Sequence, residues 1–360
     1  MKSNVVLVVL VLVLVSVACA DEFERIYSDS FIGQAYAPDA RSEGMGMAFT
    51  AVAEGPAGLF WNPATQLEGH TVAVGYHRAD HIIDTLEFSA IGAAVEIGYL
   101  RLGVYQNELT WDTVINTSYR KTMSDYRSHV RVAGLAIDVG RLIFGEETTV
   151  FASAGVNFKS FESKWDNETF AKASDKDAGF MLGTRLFLGD TDDVHRGWVG
   201  WRLGGVLTNT DRAEVEVNWA AIEDKADPLF VLQRGRVGLA LEGRHGWHYS
   251  LGHRLRWLIT ADWEKGRLDD GWSDATVNRY GAELMLLGLV AGRVGQVDWG
   301  EGNYKNGMTY GAGLRFSPQG SHFGVSADWA SVPYEPTEYL GSPFVKQRLD
   351  RYSAAAWLDF

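Results

Sequence analysis

The chain has 360 residues, 46% hydrophobic and 22% charged, with 33 Lys+Arg against 46 Asp+Glu for a net charge of −13. It holds 40 Gly, 8 Pro and a single Cys, with 13 Trp, 14 Tyr and 17 Phe. This balance excludes a disordered chain, which lacks apolar surface to bury, a collagen repeat, a coiled coil built on heptads, and a nucleic-acid binder, which needs a basic face. A Gly- and aromatic-rich all-β protein remains.

Residues 1–20 read as a signal peptide: Lys2 is the positive start, Val5 to Val15 is a Val/Leu run, and Ala18-Cys19-Ala20 is a small-x-small cleavage site. The apolar stretch is short for a membrane helix, which needs about 20 residues. A second reading makes Cys19 a lipid acceptor. Cleavage after Ala20 would leave a mature chain without a thiol, hence without disulfides or Cys metal sites.

Residues 21–69 are rich in Ala, Gly and Met and show no alternation. Gly44 to Ala53 reads as a short helix of small residues, stopped at Glu54-Gly55-Pro56 because Pro cannot continue a helix. Asn62 precedes Pro63 and is expected to be extended or in a turn.

From His70 onward the apolar period becomes two. Leu255, Trp257, Ile259, Ala261 and Trp263 share one face, and Arg254, Arg256, Leu258, Thr260, Asp262 and Glu264 the other. Fourteen strands are expected, near 70–78, 84–94, 96–106, 128–138, 148–158, 177–188, 197–207, 235–244, 253–264, 277–287, 290–299, 308–317, 322–330 and 350–360. Their lengths suit tilted membrane strands better than soluble ones of five or six residues. Short links near 95, 139–147, 189–196, 245–252, 288–289 and 318–321 alternate with long ones at 107–127, 159–176, 208–234, 265–276, 300–307 and 331–349. That is the pattern of an outer-membrane barrel, and an even strand number returns both termini to the periplasmic side. In the last strand Tyr352, Leu358 and the terminal Phe360 share a face and form a candidate barrel-insertion signal.

The fold class expected is therefore all-β: a 14-stranded antiparallel transmembrane β-barrel spanning 70–360, preceded by an N-terminal segment, 21–69. Ala40-Arg41-Ser42-Glu43-Gly44-Met45-Gly46-Met47-Ala48, Ala51-Val52-Ala53 and Gly58-Leu59-Phe60-Trp61-Asn62-Pro63-Ala64 resemble the start of the FadL-type outer-membrane superfamily, in detail its PorV/PorQ-like branch. The family pattern has an acidic residue or pair between the motif halves, where this chain has only Glu54. The resemblance implies that 21–69 folds into the lumen as a hatch whose motif is Gly44, Met45, Gly46, Trp61, Asn62, Pro63 and Ala64. It implies for Asn62-Pro63-Ala64 a fixed turn, the Asn side chain bonding backbone or wall groups; a plain surface turn is the alternative.

Catalytic and metal chemistry finds little support, and neither an enzyme activity nor a cofactor is expected. His77 and His81 straddle a strand end, His245 and His248 flank Trp247 in a turn, and Asp190, Asp192 and Asp193 lack the Gly and final Glu of a calcium loop. No nucleophile elbow, P-loop or dinucleotide fingerprint occurs. The charges that alternate with apolar residues are more informative. Arg202, Arg236, Glu242, Arg244, Arg254, Arg256, Asp262, Arg315 and Asp328, with Glu283 and Arg293, are expected to face the lumen, since a charge on the lipid face costs about 2–4 kcal/mol at midplane. Trp198, Trp201, Trp257, Trp263, Trp299, Trp329 and Trp357 lie in or near strand ends, where interfacial girdles are expected.

The leading expectation is an outer-membrane barrel of a Gram-negative-type cell, binding or passing hydrophobic small molecules such as long-chain fatty acids. A second is a PorV-like part in type IX secretion, receiving secreted protein cargo on its long loops. A third is a soluble secreted β protein. Expected partners are outer-membrane lipid, the barrel assembly machinery, and hydrophobic small molecules or secreted cargo, with no nucleic acid.

Overall fold

The computed structural model describes residues 38–65, 70–80, 86–117, 120–145, 148–165, 168–188, 197–211, 214–217, 229–230, 233–246, 254–266, 275–298, 307–317, 322–333 and 348–359. The expected signal peptide, His81, His248, the Asp190–Asp193 turn, Trp299 and Phe360 lie outside them.

Sixteen strands follow in chain order: β1 (Val72–Asp80), β2 (Leu86–Ile97), β3 (Leu100–Thr117), β4 (Arg120–Asp138), β5 (Val150–Trp165), β6 (Glu168–Leu188), β7 (Gly197–Leu207), β8 (Glu214–Val217), β9 (Leu229–Phe230), β10 (Arg234–Gly246), β11 (Arg254–Gly266), β12 (Ala275–Leu286), β13 (Val290–Asp298), β14 (Gly307–Phe316), β15 (Phe323–Pro333) and β16 (Arg348–Leu358). Fourteen of them close a ring of antiparallel neighbours, the seam being β1 against β16 with Val72 opposite Leu358. The short pieces β8 and β9 pair with each other, and β8 adds to the outer part of β6. A closed ring leaves no unpaired edge, the condition for spanning a membrane with strands.

The side-chain period of two sorts the wall. Leu100, Leu102 and Val104 on β3, Leu239 and Leu241 on β10, Ile259 on β11 and Leu314 on β14 all point outward and are exposed. Between them Arg101, Ala240, Leu258 and Gly313 point into the ring and are buried. This outward apolar face is opposite to what a soluble β protein would show. It makes the molecule a transmembrane barrel of outer-membrane architecture.

Two expected long loops are strands instead. β3 and β4 run to Thr117 and from Arg120, and β5 and β6 to Trp165 and from Glu168, so 107–127 and 159–176 are extended hairpins. Along them the pattern inverts: Phe88, Leu109, Tyr126, Val130 and Phe161 point inward into one buried cluster, while Arg127, Arg131 and Lys172 point out and are exposed. Water replaces hydrocarbon outside, so the apolar face turns inward as in any soluble sheet. The expected turn near 95 falls at Gly98-Tyr99, and the 139–147 link contains a short helix, Val139–Phe144.

Two expected girdle tryptophans face inward. Trp198 packs under the Arg185 guanidinium, 4.4 Å from its ring centroid, and Trp357 stacks on His70 at 4.9 Å. Position near a strand end gives height, and parity gives the face; both residues fall on the inward parity. Trp201, Trp263 and Trp329 point outward.

Candidate functional site

Residues 38–65, the plug segment, lie inside the ring against the inward faces of its strands. Helix α1 (Ala40–Gly44) is capped by Asp39, whose carboxylate accepts from Ser42 N at 2.7 Å. The helix expected over 44–53 is not formed. α1 ends where that helix should begin, because Gly46 and Met47 take left-handed conformations, φ 64° and 60°. The chain then runs through turns to α2 (Gly58–Trp61).

A plug with so little secondary structure has backbone groups to satisfy, and the wall supplies the partners. Asp262 accepts from Phe49 N and Thr50 N at 2.9 and 2.8 Å. Thr309 accepts from Gly46 N and donates to Gly44 O. Asn157 Nδ2 donates to Leu59 O at 2.7 Å, Ser153 to Ala64 O at 2.8 Å, and Arg101 to Gly55 O at 2.8 Å. Asn62 donates to Thr50 O and to Phe180 O of β6, both at 3.0 Å, and accepts from Ala64 N at 2.9 Å. Its side chain thus closes the turn and ties it to the wall.

Facing glycines make room for this backbone. Gly155 lies opposite Gly179, Gly204 opposite Gly238, and Gly281 opposite Gly295. A Cβ on Gly155 would run into Pro63, one on Gly204 into Thr50, and one on Gly295 into Gly46.

Charges complete the seat. Arg41 of the plug holds Glu283 through Nε and Nη2 at 2.8 and 2.9 Å and also pairs with Glu54. Arg293 lies 2.7 Å from Glu283 and 2.8 Å from Asp328. Arg202 grips Glu242 at 2.7 and 3.0 Å, while Arg236 and Arg279 both reach Glu264 at 2.8 Å. The Arg236 guanidinium lies 4.9 Å above the Trp61 ring. Arg256 Nη2 stands 3.9 Å from Glu54 and 3.8 Å from Glu242. Arg315 lies over Trp357 and contacts His70 Nε2 at 3.0 Å. Arg244 is half-buried on the inward parity of β10, and the Arg254 side chain is outside the described set. Pairing of this kind offsets part of the cost of burying these charges in a site of low dielectric.

Glu43 on α1 is buried, with Arg351 Nε at 3.2 Å and His77 Nε2 at 3.9 Å. Burial pushes its carboxyl up to about 8, against the opposing pull of Arg351.

At the short-turn end, beneath the plug, lies a cavity of about 150 Å³. Phe49, Pro56, Ala73, Met285, Ala291 and Trp357 line it together with Arg41, Glu54, Arg256, Arg293, Arg315 and Asp328, and most of its exposed lining is apolar. Among the described residues no group of three or more His, Cys, Asp or Glu is placed to hold a metal ion.

No protein-family model matches the chain, and no curated protein matches it either. Solved structures do. The chain is similar to the Pseudomonas putida toluene transporter TodX, at 11% identity over 89% of this chain and 98% of that one, TM-score 0.43. It is similar to a Pseudomonas aeruginosa FadL homologue at 12% identity over 89% and 98%, TM-score 0.43. CdiB from Acinetobacter baumannii matches at 10% identity over 80% of this chain and 60% of that one, TM-score 0.41.

The motif residues converge in this seat: Gly44, Met45 and Gly46 against β12–β14, and Trp61, Asn62, Pro63 and Ala64 against β5, β6 and the Arg236 guanidinium. Tyr352 and Leu358 of the candidate insertion signal point outward and are exposed. The charge pattern missed Arg41, Glu43, Arg351 and Arg101, and the wall partners Ser153, Asn157 and Thr309. The last three are polar residues on inward parity, which is the signal that would have found them.

Proposed function

We propose that this barrel sits in the outer membrane of a Gram-negative-type cell and takes up hydrophobic small molecules, long-chain fatty acids among them, with residues 21–69 as a hatch. In this reading both termini lie on the periplasmic side, and the barrel assembly machinery recognises the strand that carries Tyr352 and Leu358. The observation that carries it is the plug itself: it is fastened to the wall from β3 to β16, and among the described residues a small cavity with mainly apolar exposed lining lies beneath it. A general porin keeps a water-filled channel; a plugged lumen with apolar space suits solutes that partition out of water. The test is uptake of labelled oleate by a deletion strain with and without the gene restored, alongside oleate binding to the purified barrel. Unchanged uptake together with no binding overturns the proposal.

A second reading follows from the PorV/PorQ-like motif, with the barrel receiving secreted protein. The projecting β3–β4 and β5–β6 hairpins favour it, since they offer surface beyond the apolar band. Cross-linking those hairpins in intact cells and identifying the captured protein separates the two: a secreted substrate supports it, and an absence of captured chains overturns it.

A further inference from the structure

The outer surface of the barrel is not uniformly convex. A trough of about 1000 Å³ crosses the outer wall from β15 through β16 and β1 to β5. Small residues form its floor: Gly75 lies opposite Gly92 and Ala355, with Ala93, Ala133 and Ala354 around them. Tyr76 and Phe158 stand at its sides, exposed. Within a bilayer a concavity of this kind is filled by hydrocarbon, because an empty one forfeits the contacts of every atom that lines it.

One end of the trough is different. Gln106, Arg131 and Ser160 line it there, at the height where the outward residues of β3 change from Leu100, Leu102 and Val104 to polar ones. Arg131 points outward and is exposed. The register sets it between Gln106 and Ser160, so its cross-strand neighbours are neutral, while Glu108 and Glu162 both lie opposite His129 one step away. Its side-chain contact is a hydrogen bond from Nε to Gln106 Oε1 at 3.3 Å, and among the described residues no carboxylate pairs with it. The cations nearby differ: Lys164 pairs with Glu162, and Lys172 with Glu216.

We propose that the trough holds the acyl chains of one anionic phospholipid, with its phosphate bound by Arg131. A guanidinium offers paired N–H donors matched to phosphate oxygens. The apolar band ends at Arg131, where a headgroup of that leaflet would lie. The inference is independent of what passes through the lumen, since trough and plug are on opposite sides of the wall.

The test is native mass spectrometry of the full chain in a neutral detergent, with phosphatidylglycerol or phosphatidylcholine of the same acyl chains added. Wild type is expected to retain one phosphatidylglycerol about fivefold better than phosphatidylcholine. Arg131→Gln should lose that preference, and Ala133→Trp should lose both lipids while each variant still shows the heat-modifiable migration of a folded barrel. Equal retention of the two lipids by wild type, an unchanged preference in Arg131→Gln, or a second copy of the chain in place of lipid would each overturn it.

Discussion

Asp262 and Thr50 meet in the middle of the barrel: the carboxylate on β11 accepts the backbone N–H of Thr50 at 2.8 Å and, through the same oxygen, that of Phe49 at 2.9 Å. An Asp262→Ala change leaves two buried N–H groups without an acceptor, at a cost of about 1–3 kcal/mol each. The plug should loosen while the ring persists. Planar-bilayer conductance should rise and heat-modifiable migration should be kept; conductance at the wild-type level would show that the plug does not depend on this bond.

Asn62 joins the plug to β6 through the Phe180 carbonyl. Asn62→Ala is expected to destabilise by about 1–3 kcal/mol, and Asn62→Asp by more, since a carboxylate would face two carbonyl oxygens. Urea unfolding in lipid vesicles ranks the two variants.

Gly295 is a steric test of the same seat. A side chain there collides with the backbone of Met45 and Gly46, so Gly295→Val should exclude α1 from its place. A single cysteine introduced at Ser42, buried in wild type, should become reactive to a water-soluble maleimide only in the Gly295→Val background.

Glu43 gives the plug a pH dependence. An unperturbed glutamate has a pKa of about 4.3, and burial raises this one to about 8. For an acid raised in the folded state, the seated plug favours the protonated form. The stabilisation is full below about 4.3 and declines as pH climbs through 8. Asp39, Tyr105, His77 and Arg351 are charged or titratable groups around it. Conductance should therefore rise between pH 5 and 9 in wild type and stay flat across that range in Glu43→Gln.

The lipid-facing assignment has its own check. Leu239 and Ile259 are half exposed on the outer face, at 50% and 56%. Leu239→Arg should cost about 2–4 kcal/mol in lipid vesicles. A vesicle-unfolding midpoint that does not move would place this face elsewhere.

Much of the ring was legible because alternation depends on one solvent contrast. Where hydrocarbon lies outside and charges lie inside, as along Arg254–Glu264, the pattern names both faces. It failed at 107–127 and 159–176 because the contrast reverses there: Leu109, Tyr126 and Phe161 turn inward, and the expected apolar outer face disappears. The faces of Trp198 and Trp357 followed from parity, and height alone misplaced them. The lumen partners were harder. Glu283 and Arg293 are direct cross-strand neighbours and follow from register. Arg41 with Glu283 and Arg351 with Glu43 join residues hundreds of positions apart, which no local pattern encodes.

The plug is translated before any strand, yet its supports come from the whole chain. Phe49 and Thr50 rely on β11, Gly46 on β14, Ala40 and Glu43 on β16, and Leu59 on β5. No intermediate with an open seam offers a finished seat. A segment made before every strand is thus the last to find its place, and it must already be on the inner side when β16 meets β1.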